Sequence, residues 1–258
     1  MSLDTSRWRI VSSSVIGSGH IAGGFPCEDF HVVDVLPSGA WVGVVADGAG
    51  SARYAAEGSR VAATAATKFL SKRLSDLAAI DEAALHSAMR DCLQHARDSL
   101  EGLVSTTHPA GDGEVLAQYA TTLLAICVTE HWMSALQLGD GAIVLRQRTG
   151  DLTFVFQPRR GEYINETHFL TSSDFTERVQ FRVLPSADTD AIAILTDGIE
   201  ILALDYATAS PFGPFFQPMF NFASNLEANE MALEEFLKSD RVCERTDDDK
   251  TLLLAVRE

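Results

Sequence analysis

The sequence predicts an α+β fold, and three observations carry that prediction. Strand-like and helix-like segments come in blocks rather than in strict alternation: strands, two long helices, more strands, more helices and a closing strand. No Gly-rich turn leads from a strand into a helix, which argues against a dinucleotide-binding fold. With 258 residues, 46% of them hydrophobic, the chain can bury a sizeable core; by length it is one large domain or two small ones. No repeat, low-complexity block or Pro/Gly/Ser linker divides it, so residues 1–258 read as one domain.

The elements follow in order. Short strands are expected over Arg9–Val15, Phe30–Leu36 and Ala40–Ala46, the last two joined by the turn chemistry of Pro37-Ser38-Gly39. Residues 52–75 are Ala-rich with long polar residues interspersed, which is good helix material. Residues 81–104 set Leu85, Met89, Cys92, Ala96, Leu100 and Leu103 at helical spacing behind Asp81 as N-cap. Thr106–Gly113 reads as a loop; strands return at Ala120–Thr129, Trp132–Leu138, Ala142–Gln147 and Thr153–Phe156. An irregular stretch at 157–178 precedes strands at Val179–Leu184 and Ala191–Leu195, helices over 199–208, 212–225 and 229–238, and a final strand, Thr251–Val256.

Charge narrows the function classes. Twenty basic against 36 acidic residues give a net charge of −16, which repels phosphate backbones and anionic membrane surfaces and argues against nucleic-acid or membrane partners. It also supplies the carboxylates that hard divalent cations require. Cys27, Cys92, Cys127 and Cys243 form no CxxC pair, so neither a zinc ribbon nor a thioredoxin-like site is expected. The N-terminus, with Asp4, Arg7 and Arg9, lacks a signal-peptide pattern, and a cytoplasmic location is the default.

Several acidic residues stand at the ends of apolar strands: Glu28-Asp29, Asp47-Gly48, Asp197-Gly198 and Asp247-Asp248-Asp249, with Asp140-Gly141 between two strands. Strand ends can converge at one core edge, where four or five carboxylates repel unless cations neutralise them. Each has a plainer reading too. Asp140-Gly141 fits a hairpin turn, Asp47 or Ser51 could cap the helix that follows, Asp197 could cap the next one, and the triple Asp could be a solvated turn. Asp112-Gly113, with no flanking strand, reads as a turn.

Taken together, five motifs in sequence order resemble the metal-dependent protein phosphatases of type 2C in their compact bacterial form. They are GSGHIAGGFPCEDF, VVADGAGSARYAAEGS, YATTLLAICV with LQLGDGAIVLR, AILTDGIE and DDDKTLLLAV. The resemblance implies a four-layer αββα sandwich, two central antiparallel sheets flanked by helices, and a catalytic domain over the whole chain. It implies that Asp47 bridges two Mg²⁺ or Mn²⁺ ions and that Gly48 offers its carbonyl. Asp197 and Asp248 would hold the first ion and Glu28 the second through water, with Asp29 a supporting carboxylate and Asp140 helping to hold a third ion. Asp248 is preferred over its neighbours because it stands three residues before Thr251.

The implied reaction is hydrolysis of a phosphoserine or phosphothreonine monoester in a protein, by a water or hydroxide bridging two metal ions. All-oxygen ligation suits Mg²⁺ or Mn²⁺ better than zinc. Two departures stand out. Where many members carry a phosphate-gripping Arg, four residues before the Glu, this chain has Gly24; His20 is the nearest cationic substitute, and otherwise a surface or hydrogen-bonding residue. Where some eukaryotic members have a His after the Asp-Gly pair, this chain has Ala49, so the leaving group takes its proton from water or another group. The missing Arg leaves a second reading open, a phosphatase-fold regulatory module with little catalysis. His86 and His95 lie on the second helix at non-facing spacing and read as solvated. Arg159-Arg160 reads as a solvated pair or a phosphopeptide contact, and 157–178 falls where the family's variable flap lies. The aromatic run at 212–220 reads as packing of a peripheral helix or, if exposed, a partner surface. Oligomeric state is not legible.

Overall fold

A computed structural model describes residues 8–77, 80–109, 113–157 and 167–258. Asp4, Arg7, Asp112 and the Arg159-Arg160 pair lie outside these residues, as does much of the 157–178 stretch.

Strand β1 (Trp8–Val15) leads into a short helix α1 (Ser18–Gly23). The hairpin β2 (Asp29–Val35) and β3 (Trp41–Asp47) follows in a register that sets Asp29 opposite Asp47. Two long helices come next, α2 (Ala55–Asp76) and α3 (Glu82–Thr107), the second capped as its sequence predicts by Asp81, which accepts the Ala84 N–H. After α4 (Gly113–Ala117) come β4 (Leu123–Val128), β5 (Trp132–Leu138), β6 (Ala142–Gln147) and β7 (Leu152–Phe154). The chain continues through α5 (Phe175–Arg178), β8 (Gln180–Pro185) and β9 (Thr189–Leu195), then a 3-10 turn, Asp197–Ile199. Helix α6 (Glu200–Ala203), a ribbon of β10 (Leu204–Asp205) and β11 (Ser210–Pro211), helices α7 (Gly213–Ser224), α8 (Glu230–Leu237) and α9 (Asp240–Cys243), and β12 (Lys250–Arg257) complete it.

Ten strands form two antiparallel five-stranded sheets, ordered β1-β12-β9-β6-β7 and β2-β3-β4-β5-β8. Strands buried on both faces read as continuous apolar runs, and their alternating side chains serve two cores. Val42, Val44, Leu123 and Ala125 pack against α2 and α3. Their neighbours Trp41, Val45, Leu124 and Ile126 meet Ile192, Ile194, Leu253 and Ala255 between the sheets. On the far side Ala193, Leu195, Leu252 and Leu254 pack against Phe216 and Phe220 of α7 and Leu233 and Leu237 of α8. The layers are therefore helix, sheet, sheet, helix, as expected.

Local differences have local causes. The helix expected over 199–208 stops at Ala203 because Asp205 turns its carboxylate onto the Ala207 and Thr208 N–H groups, a side-chain bond that competes with helical backbone pairing. The strand expected from Ala120 begins at Leu123, since Thr121 and Thr122 are engaged in clamping the end of β3. Helix α3 runs three residues past its predicted end, and α4 forms over Gly113–Ala117, of which only Gly113 belonged to the expected loop. The aromatic run divides: Phe215, Phe216 and Phe220 are buried and Phe212 is exposed. His86 lies against Phe181 and His95 against Phe69. No helix among the described residues is long and apolar enough to cross a membrane.

Candidate metal centre

The sheet topology brings distant strand ends to one rim. Asp47 ends β3, Asp140 lies between β5 and β6, Asp197 follows β9, and Asp248 and Asp249 precede β12. Oxygens of Asp47, Asp140 and Asp197 lie within 4.8 Å of one another. They open onto a cavity of about 230 Å³ that Glu28, Gly48, Asp248, Asp249 and His20 also line.

Backbone contacts fix these ends. Thr122 donates its N–H to the Asp47 carbonyl (2.8 Å) and accepts the Asp47 N–H on its hydroxyl (3.0 Å), while the Thr121 hydroxyl donates to the same carbonyl (3.0 Å). The Asp197 turn lies so close to the β12 approach that a Cβ at Gly198 would stand 1.8 Å from the Asp249 carbonyl oxygen. Only glycine permits that approach. The capping alternatives are not realised: Tyr54 is the N-cap of α2 without a side-chain bond, and the helix after Asp197 is closed by backbone alone.

Asp29 sits behind the cavity, fully buried. Its Oδ2 accepts the hydroxyls of Thr196 and Thr251, both at 2.8 Å. The Thr251 hydroxyl meets Ser14 Oγ at 2.7 Å, and Ser14 meets His31 Nδ1 at 2.7 Å. With Asp29 ionised, both threonines must donate to it. Thr251 then accepts from Ser14, and Ser14 accepts from an Nδ1–H of His31. A polar thread thus runs through the sandwich from a buried carboxylate to a largely buried imidazole, whose pKa burial pushes down.

Asp249 organises the opposite side. Its carboxylate accepts the Gly17 N–H (2.6 Å) and the Glu28 N–H (2.5 Å) and pairs with His20 Nδ1 (2.9 Å). This leaves His20 Nε2 3.8 Å from Glu28 Oε2. Gly24, where the resemblance would set an arginine, ends α1 in the left-handed conformation (φ +73°), which strains any side-chain-bearing residue.

Electrostatically the cluster is unbalanced. Burial, then the neighbouring carboxylates, push Asp47 well above the usual carboxylate range. The same order of causes raises Asp197 to about 6. Glu200, one turn beyond Asp197, is raised to about 7 by burial and by the charges of Asp197 and Asp140. Glu28 is raised mainly by burial. Two buried acceptors, Glu28 Oε2 and Asp29 Oδ1, have no hydrogen-bond partner among the described residues. Converging carboxylates, raised pKa values and orphaned oxygens fit hard divalent cations, and the oxygen-only donor set suits Mg²⁺ or Mn²⁺.

The structure therefore gathers Asp47, Asp140 and Asp197 most closely, sets Glu28, Gly48, Asp248 and His20 around the same cavity, and sets Asp29 behind it. Sequence reasoning missed Asp249, Glu200, Ser14 and His31. Asp249 was visible only as part of an acidic triplet, and no local pattern marks the other three.

A model described as protein phosphatase 2C matches residues 16–238. The chain belongs to the protein phosphatase 2C family. This 2C phosphatase is 31% identical over 264 residues to serine/threonine-protein phosphatase 3 of Escherichia coli (strain K12), the alignment covering 96% of this chain and 98% of that protein. Its fold is shared by the S. agalactiae serine/threonine phosphatase (TM-score 0.67, 14% identity, 97% of this chain and 100% of that one). It is shared also by the catalytic domain of PstP in complex with two manganese ions (TM-score 0.60, 18% identity, 97% and 98%). As a 2C phosphatase the chain is a protein serine/threonine phosphatase that uses Mg²⁺ or Mn²⁺.

Proposed function

We propose that the acidic rim is the catalytic centre and that the chain acts as a single catalytic domain on phosphoserine and phosphothreonine in protein partners. The supporting observation is the convergence of Asp47, Asp140 and Asp197, three carboxylates remote in sequence, within 4.8 Å. In this reading Asp47, with the Gly48 carbonyl, Asp197, Asp248 and Glu28 would hold the two ions, and Asp140 would help to hold a third. Bound divalent ions supply an activated water and offset charge on the phosphoryl oxygens.

The chain's own groups do the rest. Asp29, held by two threonine hydroxyls, keeps the ends of β9 and β12 aligned beneath the centre. His20, oriented by Asp249, presents Nε2 toward the cavity and donates to a phosphoryl oxygen when it carries both protons. None of the described residues lining that cavity is Arg or Lys, so His20 is the group of this chain placed to contact substrate phosphate, bound ions would offset the rest of its charge, and the leaving oxygen would take its proton from water. All four cysteines are free, in keeping with a reducing cytoplasm.

Asp47→Ala tests the assignment. With Mn²⁺ and p-nitrophenyl phosphate, turnover is expected to fall at least about 100-fold, the scale of losing a main electrostatic stabiliser, with the circular dichroism spectrum unchanged. Full activity in a folded variant would refute the site.

A further inference from the structure

A second and larger cavity, about 570 Å³, lies against the element that carries Asp197. Helix α6 runs straight on from the Asp197 turn, so Ile201, four residues past that carboxylate, opens the groove. Tyr206 from the β10–β11 ribbon and Phe212 ahead of α7 continue its wall. These three side chains are 54%, 63% and 42% exposed, a large apolar surface to leave facing water. Burial, then the charges of Glu200 and Asp197, raises the Tyr206 pKa.

The polar part of the lining carries the opposite sign to the rest of the molecule. Arg241 and Arg245 both line the groove and are exposed, and neither has a carboxylate partner among the described residues, although the chain carries 36 acidic and 20 basic residues. Asp205, also in the lining, spends its carboxylate on the Ala207 and Thr208 N–H groups. The groove is thus an apolar slot with two available guanidiniums, continuous with the segment that carries Asp197.

We propose that this groove docks an acidic, aromatic-containing segment of the phosphoprotein substrate, next to the phosphorylated residue. The proposal rests on the phosphatase reading above and adds a substrate class to it. Apolar side chains of the partner cover Ile201, Tyr206 and Phe212, and its carboxylates meet Arg241 and Arg245. Charge complementarity of this kind selects partners and speeds their encounter.

Two phosphothreonine peptides of equal length test it, one with Phe, Asp and Glu on both sides of the phosphoresidue, the other with Ser and Gln. The acidic aromatic peptide is expected to show a KM about tenfold lower, and the Arg241→Glu/Arg245→Glu variant to remove that advantage, as loss and reversal of two exposed ion pairs requires. Turnover of p-nitrophenyl phosphate, too small to reach the groove, stays at the wild-type value in that variant. A fluorescein-labelled, unphosphorylated acidic aromatic peptide reads docking by anisotropy without catalysis. Weaker binding to the double variant supports the groove, even if wild-type protein fails to turn over p-nitrophenyl phosphate and so refutes the phosphatase reading instead. Equal binding to both proteins, or equal KM values for the two peptides, overturns the proposal. So does a sedimentation result in which the charge reversal dissociates a dimer, because the groove would then belong to a second copy of the chain.

Discussion

Asp197→Asn should make the metal-free protein more stable while removing its function. Asp197 has its pKa raised from 3.8 to about 6. Folding therefore opposes its ionisation: the folded state keeps a proton that the unfolded chain has already released. Stability is lost as pH rises from about 4 to about 6, and the full penalty persists above that range. Roughly two pKa units at about 1.4 kcal/mol each put the penalty near 3 kcal/mol at neutral pH. Asparagine removes the charge, keeps an acceptor for the Gly198 N–H and gains a donor toward Asp47. In EDTA at pH 7.5 the variant should melt about 6–12 °C above wild type, at 2–4 °C per kcal/mol for a chain of this size. The gap should shrink toward zero near pH 4. Wild type should gain more stability than the variant on adding Mn²⁺, since the ion replaces the proton that Asp197 has released. Melting by circular dichroism across pH, with and without Mn²⁺, measures all of this. If the variant melts at or below the wild-type temperature in EDTA, the carboxylates are not in electrostatic conflict and the case for a cation centre fails.

Two further substitutions probe the surroundings of the site. Ser14→Ala breaks the thread between His31 and Thr251, costing about 1–3 kcal/mol from unpaired groups and weakening Mn²⁺ binding roughly tenfold, as loss of an outer-shell partner does; calorimetric Mn²⁺ affinity equal to wild type would contradict the role given to Asp29. His20→Ala should raise the KM for p-nitrophenyl phosphate and the inhibition constant of inorganic phosphate about tenfold, the scale of one charged hydrogen bond, with kcat less affected; unchanged phosphate inhibition would remove His20 from substrate binding.

What the sequence reveals follows from how each feature is encoded. Strands such as β4 and β12 are legible because burial on both faces demands unbroken apolar runs. The acidic positions are legible because each carboxylate interrupts such a run at its end. Helix α1 is not legible, being six residues long with no buried side chain, so its role in aiming His20 had no pattern to show. Ser14 and His31 look like ordinary alternating polar positions in β1 and β2; only the packing of the two sheets turns them inward onto Thr251. Asp248 and Asp249 are chemically alike in the sequence and take opposite tasks in the fold, one facing the cavity and the other tying α1, Glu28 and His20 together.

The position of β12 has a consequence for how the protein comes into being. It follows every other strand among the described residues, yet it lies between β1 and β9, pairing Trp8 with Arg257 across 249 positions of sequence. Until it emerges from the ribosome, β1 has no neighbour, one sheet is split in two, and Asp248 and Asp249 are absent from the rim. Such distant pairing is slow to form. Phosphatase activity should therefore switch on only once β12 has been made and paired, so that chains still lacking it cannot strip phosphate from bystander proteins.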